Sequence, residues 1–218
     1  MPADERELEN FFLLMDPDWS PRPGEEAPPL EAVVGAWPLA ADGSVGRFHS
    51  NPEYAPRDGD AVTDPVDAML RLAMTERMRA DQLQLMLRDA EFEVAFNGDG
   101  RPLVVKSPDD VRCVVVATGS AQVRRITSPG WQHVDLSGVV SLLQDGVDVL
   151  FNPGGPVPFR LTGEFLRETL IMTDEEAATA YAAFRTADAG PRVGIVPWLV
   201  GDAAAEVTVA AGGRGPVT

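Results

Sequence analysis

The chain has 218 residues, of which 44% are hydrophobic, and this is enough apolar material to build a substantial core. Asp and Glu outnumber Lys and Arg by 34 to 18, so the formal charge at pH 7 is −16. Such a chain repels the phosphates of nucleic acids and anionic lipids, which predicts no nucleic-acid or membrane partner and favours solubility or a basic protein partner.

The first 30 residues are acidic and interrupted by prolines, and they predict an extended N-terminal arm. Its apolar run at 11–15 is too short for a signal peptide or a membrane span, which makes the cytoplasm the expected compartment. We expect this run to dock on the domain as a helical turn or to serve as an anchor for a partner.

Strands and helices are predicted from the periodicity of apolar residues and from turn and capping residues. In chain order, the first half predicts strands at 31–39 and 45–49 and a loop at 52–63. It then predicts one helix that starts at Pro65, a second helix at 79–88, and strands at 91–96, 103–106 and 111–118. Thr63 or Asp64 is the expected cap of the helix at Pro65. The last three strands are joined by tight turns, which predicts an antiparallel core with 111–118 as a central strand covered on both faces.

The second half continues the alternation of strands and helices. In chain order, it predicts a loop around 129–131, a helix at 135–143, strands at 147–151 and 159–161, helices at 163–171 and from a Thr173 cap to about 186, and an edge strand or loosely packed segment at 194–200. The fold class is therefore α+β, with a single mixed, largely antiparallel sheet and flanking helices. One domain is expected over 31–190, followed by a C-terminal extension at 191–218 whose end, 201–218, is expected to be mobile.

Reactive residues are scarce. The chain has two histidines, His49 and His133, and one cysteine, and neither type shows the spacing of zinc ligands. Cys113 lies within an apolar strand and is expected to be a core residue. His133 has no recognisable nucleophile setting, so the sequence predicts a protein that is not an enzyme and binds no metal or cofactor.

The loop from Asn152 to Pro156 offers glycine amides that could hold an anion. However, Pro156 and Pro158 remove amide donors, and a strand follows instead of a helix. A structural turn is therefore favoured, and an uncharacterised enzyme that uses this loop remains the weaker alternative.

Two groups of aromatic and arginine residues are candidates for binding a partner, because Trp, Tyr and Arg often anchor interfaces. The first group lies in one hairpin and loop, and the second in a later loop. They are Trp37, Arg47, Phe48 and Tyr54, and then Arg124, Arg125 and Trp131. The hypothesis is that one of these loops forms a partner surface, and the alternative is that the aromatics pack in the core.

Several motifs resemble those of actinobacterial proteins associated with the type VII secretion system. They are VVGAWP at 33–38, GRF at 46–48, NPEY at 51–54, TDPVDA at 63–68, GVDVL at 146–150 and NPGGP at 152–156, followed by Arg160 and Leu161. The later part also resembles the N-terminal domain of SseB, the enhanced serine sensitivity family, although Gln144 stands where that pattern has a proline. The two resemblances cover about residues 31–172.

The resemblance implies an SseB-like α+β fold and a non-catalytic, chaperone-like or accessory protein. Its expected partner is a component or substrate of the secretion system, and the family brings no catalytic residues to carry over. The acidic composition leaves a second interpretation open, namely an immunity-type protein that neutralises a basic toxin by charge complementarity.

Overall fold

A computed structural model describes residues 10–16, 18–19, 28–40, 45–56, 58–186 and 195–198. The strands are β1 (Asn10–Met15), β2 (Val33–Leu39), β3 (His49–Ser50), β4 (Glu91–Phe96), β5 (Val104–Lys106), β6 (Arg112–Ala117), β7 (Gly130–Asp135), β8 (Asp148–Phe151), β9 (Phe159–Leu161) and β10 (Ile195–Trp198). The helices are α1 (Pro65–Met74), α2 (Ala80–Arg88), α3 (Ser120–Val123), α4 (Leu136–Ser141), α5 (Gly163–Leu170) and α6 (Asp174–Thr186). The predicted α+β class is confirmed. The strands form two sheets and not the single sheet predicted, because β1, β2, β3 and β10 pair with one another.

The larger sheet has six strands in the order β7-β4-β6-β8-β9, with β5 also paired to β6. β6 runs antiparallel to β4 and β5 but parallel to β8, with Cys113 opposite Asp148 and Val116 opposite Phe151. The sheet is therefore mixed and largely antiparallel, as predicted. β6 is buried from Cys113 to Ala117, which confirms its predicted central position.

The main core lies on the face of this sheet that the helices cover. Alternate residues of β4, β6 and β8 point into it and meet buried residues of the helices. These are Phe92, Val94, Val114, Val116, Val149 and Phe151 from the strands, with Leu70, Leu87, Leu136 and Leu166 from the helices. Burying each such side chain contributes roughly 1.5–3 kcal/mol before the cost in entropy, so this cluster is the main source of stability.

The smaller sheet is antiparallel, with the strand order β10-β1-β2-β3. The prediction of a helical turn at 11–15 is wrong, because β1 pairs with β2 on one side and with β10 on the other. The predicted arm at 1–30 thus contributes a strand to the sheet. The segment predicted as an edge strand at 194–200 forms β10, which pairs with β1 at the sheet edge.

Two helices start at predicted capping residues, one of them at Asp64 of the two candidates Thr63 and Asp64. Asp64 caps α1 by accepting from the amide of Asp67 at 2.8 Å. Thr173 and Glu176 form the capping box of α6, with the Thr173 amide donating to Glu176 at 2.8 Å.

Two further elements differ from the prediction. Trp131 lies in β7 and not in a loop, because all six residues of this strand pair with β4. α3 was not predicted, since its four residues are too few to show a helical period.

The predicted mobile end, 201–218, lies outside the described residues. Of the helices that the structure describes, none has the length and apolar character needed to cross a bilayer.

Candidate binding cleft between the two sheets

An open cleft of about 800 Å³ separates the β2–β3 hairpin from the larger sheet. One wall comes from Trp37 and the segment 45–50. The opposite wall comes from the start of α1, the end of α2 and the start of β4, with His133 of β7 at its side. We call the buried network of Asp64, Thr118 and Asn152, which reaches the cleft through Asp64 and Thr118, the floor. We call the charged groups of the hairpin, β4 and β7 the rim; they are Arg47, His49, Glu91, Glu93, His133 and Asp135.

The hairpin wall is aromatic. The rings of Trp37 and Phe48 lie 4.7 Å apart between centroids and are tilted by 58°. Both side chains are partly buried against the small core cluster of Leu14, Val34 and Tyr54. This packing fixes the aromatic pair and leaves part of it facing the cleft.

At the floor, Asp64 is 1% exposed and is surrounded by donors. Its carboxylate accepts from the Asp67 amide at 2.8 Å, from the Thr118 hydroxyl at 2.7 Å and from the Thr63 hydroxyl at 2.9 Å. Burial, and then the charge of Asp67, raise the pKa of Asp64 to about 6. The guanidinium of Arg71 forms an ion pair with the carboxylate of Asp67, with 2.9 Å between Nη2 and Oδ2.

The floor network continues to Asn152, which is buried with a positive φ of 51°. Its side-chain oxygen accepts from the Thr118 amide at 3.0 Å, and its side-chain nitrogen donates to the Thr118 hydroxyl at 2.9 Å. The backbone N–H of Asn152 donates to the backbone carbonyl of Val116. This side chain therefore joins the end of β8 to the end of β6.

The rim brings the two histidines of the chain to one carboxylate. Nε2 of His133 lies 3.1 Å from Oε2 of Glu91, and Nδ1 of His49 lies 3.5 Å from the same oxygen. Nδ1 of His133 lies 2.9 Å from Oε1 of Glu93. Partial burial lowers the pKa of His133, but the bonds to Glu93 and Glu91 outweigh it, so the pKa is raised above its ordinary value.

Arg47 adds the permanent positive charge of the rim. Its guanidinium lies 3.6 Å from Asp135 and 3.9 Å from Glu91, and its side chain is 45% exposed. These distances are longer than the 2.7–2.9 Å typical of a charge-assisted hydrogen bond. The contacts of Arg47 are therefore loose, and the guanidinium can exchange partners.

The hydroxyl groups at the cleft are bonded to groups other than histidine. Thr118 donates to Asp64, the Ser120 hydroxyl donates to the carbonyl of Asn51 at 3.1 Å, and Ser50 accepts from the Ser120 amide. Both ring nitrogens of His133 face carboxylates. A general base needs a free ring nitrogen directed at the hydroxyl that it deprotonates, and His133 does not have this geometry.

The structure unites only part of the predicted partner-binding set. Trp37, Arg47 and Phe48 line the cleft. The remaining four residues do not line the cleft: three of them form hydrogen bonds within the protein, and the fourth lies in a strand. Tyr54 is buried and bonds to Asp16, Arg124 donates to the carbonyls of Pro52 and Tyr54, Arg125 donates to the carbonyl of Gly59, and Trp131 is half-buried in β7.

Glu91 and Glu93 are site residues that the sequence analysis missed. They alternate with the buried Phe92 and Val94 along β4, which gives this strand one polar face. That alternation was a usable signal for a charged surface, but it does not show which residues lie opposite. His133 faces Glu93 only because of the pairing of β4 with β7.

The Asn152 loop is packed against α3. A Cβ added to Gly154 would lie 2.4 Å from the carbonyl oxygen of Arg125, and one added to Gly155 would lie 2.7 Å from Oε1 of Gln122. These two glycines allow the loop to approach the end of α3 closely, which accounts for their presence without a bound anion.

Among the described residues, no group of three or more His, Cys, Asp or Glu side chains could hold a metal ion. Cys113 is buried, and burial raises the pKa of its thiol, which disfavours the reactive thiolate.

No protein-family model matches the sequence, and searches of curated proteins and solved structures return no match. The relation to type VII secretion-associated proteins and to SseB therefore stays a prediction.

Proposed function

We propose that the protein is a non-catalytic accessory protein that binds a protein partner in the cleft between its two sheets. The observation that carries the proposal is the open cleft of about 800 Å³ with the Trp37–Phe48 pair on one wall and charged residues on the other. An apolar anchor site beside polar groups that fix orientation is the usual composition of a recognition site.

The bonding within the cleft supports binding over catalysis. The floor groups Asp64, Thr118 and Asn152 are hydrogen-bonded to one another, and His133 is held between two glutamates. Groups that are saturated by protein partners stabilise a shape, whereas catalysis requires a group directed at the substrate.

We place the partner among the components or substrates of a type VII secretion system, and the protein in the cytoplasm, on the strength of the sequence resemblance. The formal charge of −16 favours a second candidate, the neutralisation of a basic toxin. Protection of cells upon co-expression with a toxin encoded beside this gene would support the second candidate over the first.

Site-specific photocrosslinking tests the proposal. A photoreactive residue is placed at Val45, which lines the cleft and is 53% exposed, or at Ile171, which is 77% exposed and lies outside the cleft. In cells with an active type VII secretion system, we expect an adduct with a secretion component or substrate from position 45 and not from position 171. Equal adducts from both positions, or none from position 45, would contradict the proposal.

A further inference from the structure

We infer that the cleft receives an extended segment of the partner in which an arginine or lysine is next to an apolar residue, with the apolar side chain on Trp37 and Phe48 and the cation between Glu91 and Glu93. This inference rests on the proposed function, and it adds the chemistry of the occupant.

The geometry of the two walls sets the spacing. Glu91 and Glu93 are two residues apart on the same face of β4, so their Cα atoms are separated by about 7 Å. The aromatic pair lines the same cleft from the hairpin, which belongs to the other sheet. Successive side chains of an extended segment point in opposite directions, so neighbouring residues of the occupant reach the two walls.

Charge selects a cation. Asp89, Glu91 and Glu93 are the carboxylates on the rim side of the cleft, and among the described lining residues Arg47 is the one permanent cation. Asp135, next to the cleft, shares Arg47 with Glu91. Four carboxylates and one guanidinium give the rim side of the cleft a net negative charge in a molecule that is already acidic. An arginine or lysine is attracted to this rim, and an acidic segment is repelled.

The histidines act as the internal competitor for this position. When its ring is protonated, His133 donates to both Glu91 and Glu93, whereas the neutral ring has a single N–H and leaves the other carboxylate facing a nitrogen lone pair. A guanidinium or ammonium that enters must displace the imidazolium protons. Binding therefore releases a proton, and the affinity increases as the pH rises through the raised pKa of His133.

The experiment uses the full chain and three synthetic peptides. The first has the sequence acetyl-Ser-Leu-Arg-Leu-Arg-Leu-Ser-amide, and the other two carry glutamine or glutamate in place of arginine. Binding is followed by chemical-shift changes in NMR titrations at pH 7.5 and 5.5. We expect the arginine peptide to bind about tenfold more tightly than the glutamine peptide at pH 7.5, and to lose most of that advantage at pH 5.5.

Two pairs of variants separate the rim from net charge. The double variant Glu91→Gln, Glu93→Gln is expected to bind the arginine peptide no more tightly than the unmodified chain binds the glutamine peptide. The matched control Glu164→Gln, Glu168→Gln changes the net charge equally on the exposed surface of α5 and is expected to leave binding unchanged. A further variant, His133→Gln, keeps the carboxylates and is expected to bind at pH 5.5 as the unmodified chain does at pH 7.5.

The inference is overturned if the glutamine or glutamate peptide binds as tightly as the arginine peptide, or if the control pair weakens binding as much as the rim pair. Its failure is distinguishable from that of the proposed function. If position 45 crosslinks to a partner segment that lacks a cation, the protein still binds in the cleft and only the occupant is wrong. If position 45 yields no adduct, the proposed function fails.

Discussion

The floor and the rim of the cleft are both built from polar side chains, but they differ in burial. Asp64, Thr118 and Asn152 at the floor are between 1% and 6% exposed, and their hydrogen bonds are made within the protein. At the rim, the side chains of His133 and His49 are 58% and 60% exposed, and those of Glu91 and Glu93 are 19% and 28% exposed. A partner can reach the rim groups, whereas the floor groups are already enclosed.

This difference determines which property each region controls. A buried polar group without its partner loses the solvation that it had in water, so a change at the floor is expected to lower stability. An exposed charge has water as an alternative partner, so a change at the rim has little effect on folding. The floor therefore fixes the geometry of the cleft, and the rim is free to select what binds there.

The largest expected effect follows from Asn152→Ala at the floor. This change removes the amide that bonds to Thr118 and places an alanine at a φ of 51°. We expect a loss of about 3 kcal/mol in the free energy of unfolding, from unsatisfied buried groups and an unfavourable backbone conformation. Chemical denaturation measures it. The control Asn152→Gly should recover about 1 kcal/mol, and equal stability of the two variants would show that the backbone conformation contributes little.

A smaller effect, visible as pH dependence, is expected from Asp64→Asn. The pKa of Asp64 is raised to about 6 from an ordinary value of 3.8, so the folded state holds this proton more tightly than the unfolded chain does. The resulting stability is full below pH 3.8 and is lost as the pH rises through 6. Asparagine is an equally good helix cap and carries no charge.

The free energy of unfolding of the unmodified chain should therefore fall relative to that of Asp64→Asn by about 2 kcal/mol between pH 4.5 and pH 8. Denaturation of both proteins at the two pH values measures this difference, in which the contributions of other titrating groups cancel. A difference that does not change with pH would show that Asp64 has the same pKa in the folded and unfolded states.

The sequence was sufficient to predict the elements that local patterns define. Asp64 and Thr173 identified two helix starts, and the apolar run of β6 identified the central strand. β1 was misread because a short apolar run has no period of its own, and its strand conformation depends on pairing with β2 and β10. Pairing between distant segments also produced the second sheet.

The site was predictable only where its residues are neighbours in the chain. Trp37, Arg47 and Phe48 lie close together in the sequence and reach the cleft together. His49 and His133 are far apart, and they meet at Glu91 because β7 pairs with β4 and β3 lies across the cleft. A register between strands has no signature in either segment alone, so this contact could not be read from the sequence.

The smallest effect, expected from His133→Gln, tests the rim directly. The pKa of His133 is raised above its ordinary value of 6.5, so the bonds to Glu91 and Glu93 stabilise the fold when the ring is protonated. That stability is fully present below pH 6.5 and is lost as the pH rises through the raised pKa. Because the side chain is 58% exposed, we expect the variant to be less stable by under about 1 kcal/mol at pH 5.5 and equal to the unmodified chain at pH 8.5. Denaturation at both pH values measures this difference in stability. A loss that persists undiminished at pH 8.5 would mean that His133 stabilises the fold by packing, as the floor residues do, and not by its charge.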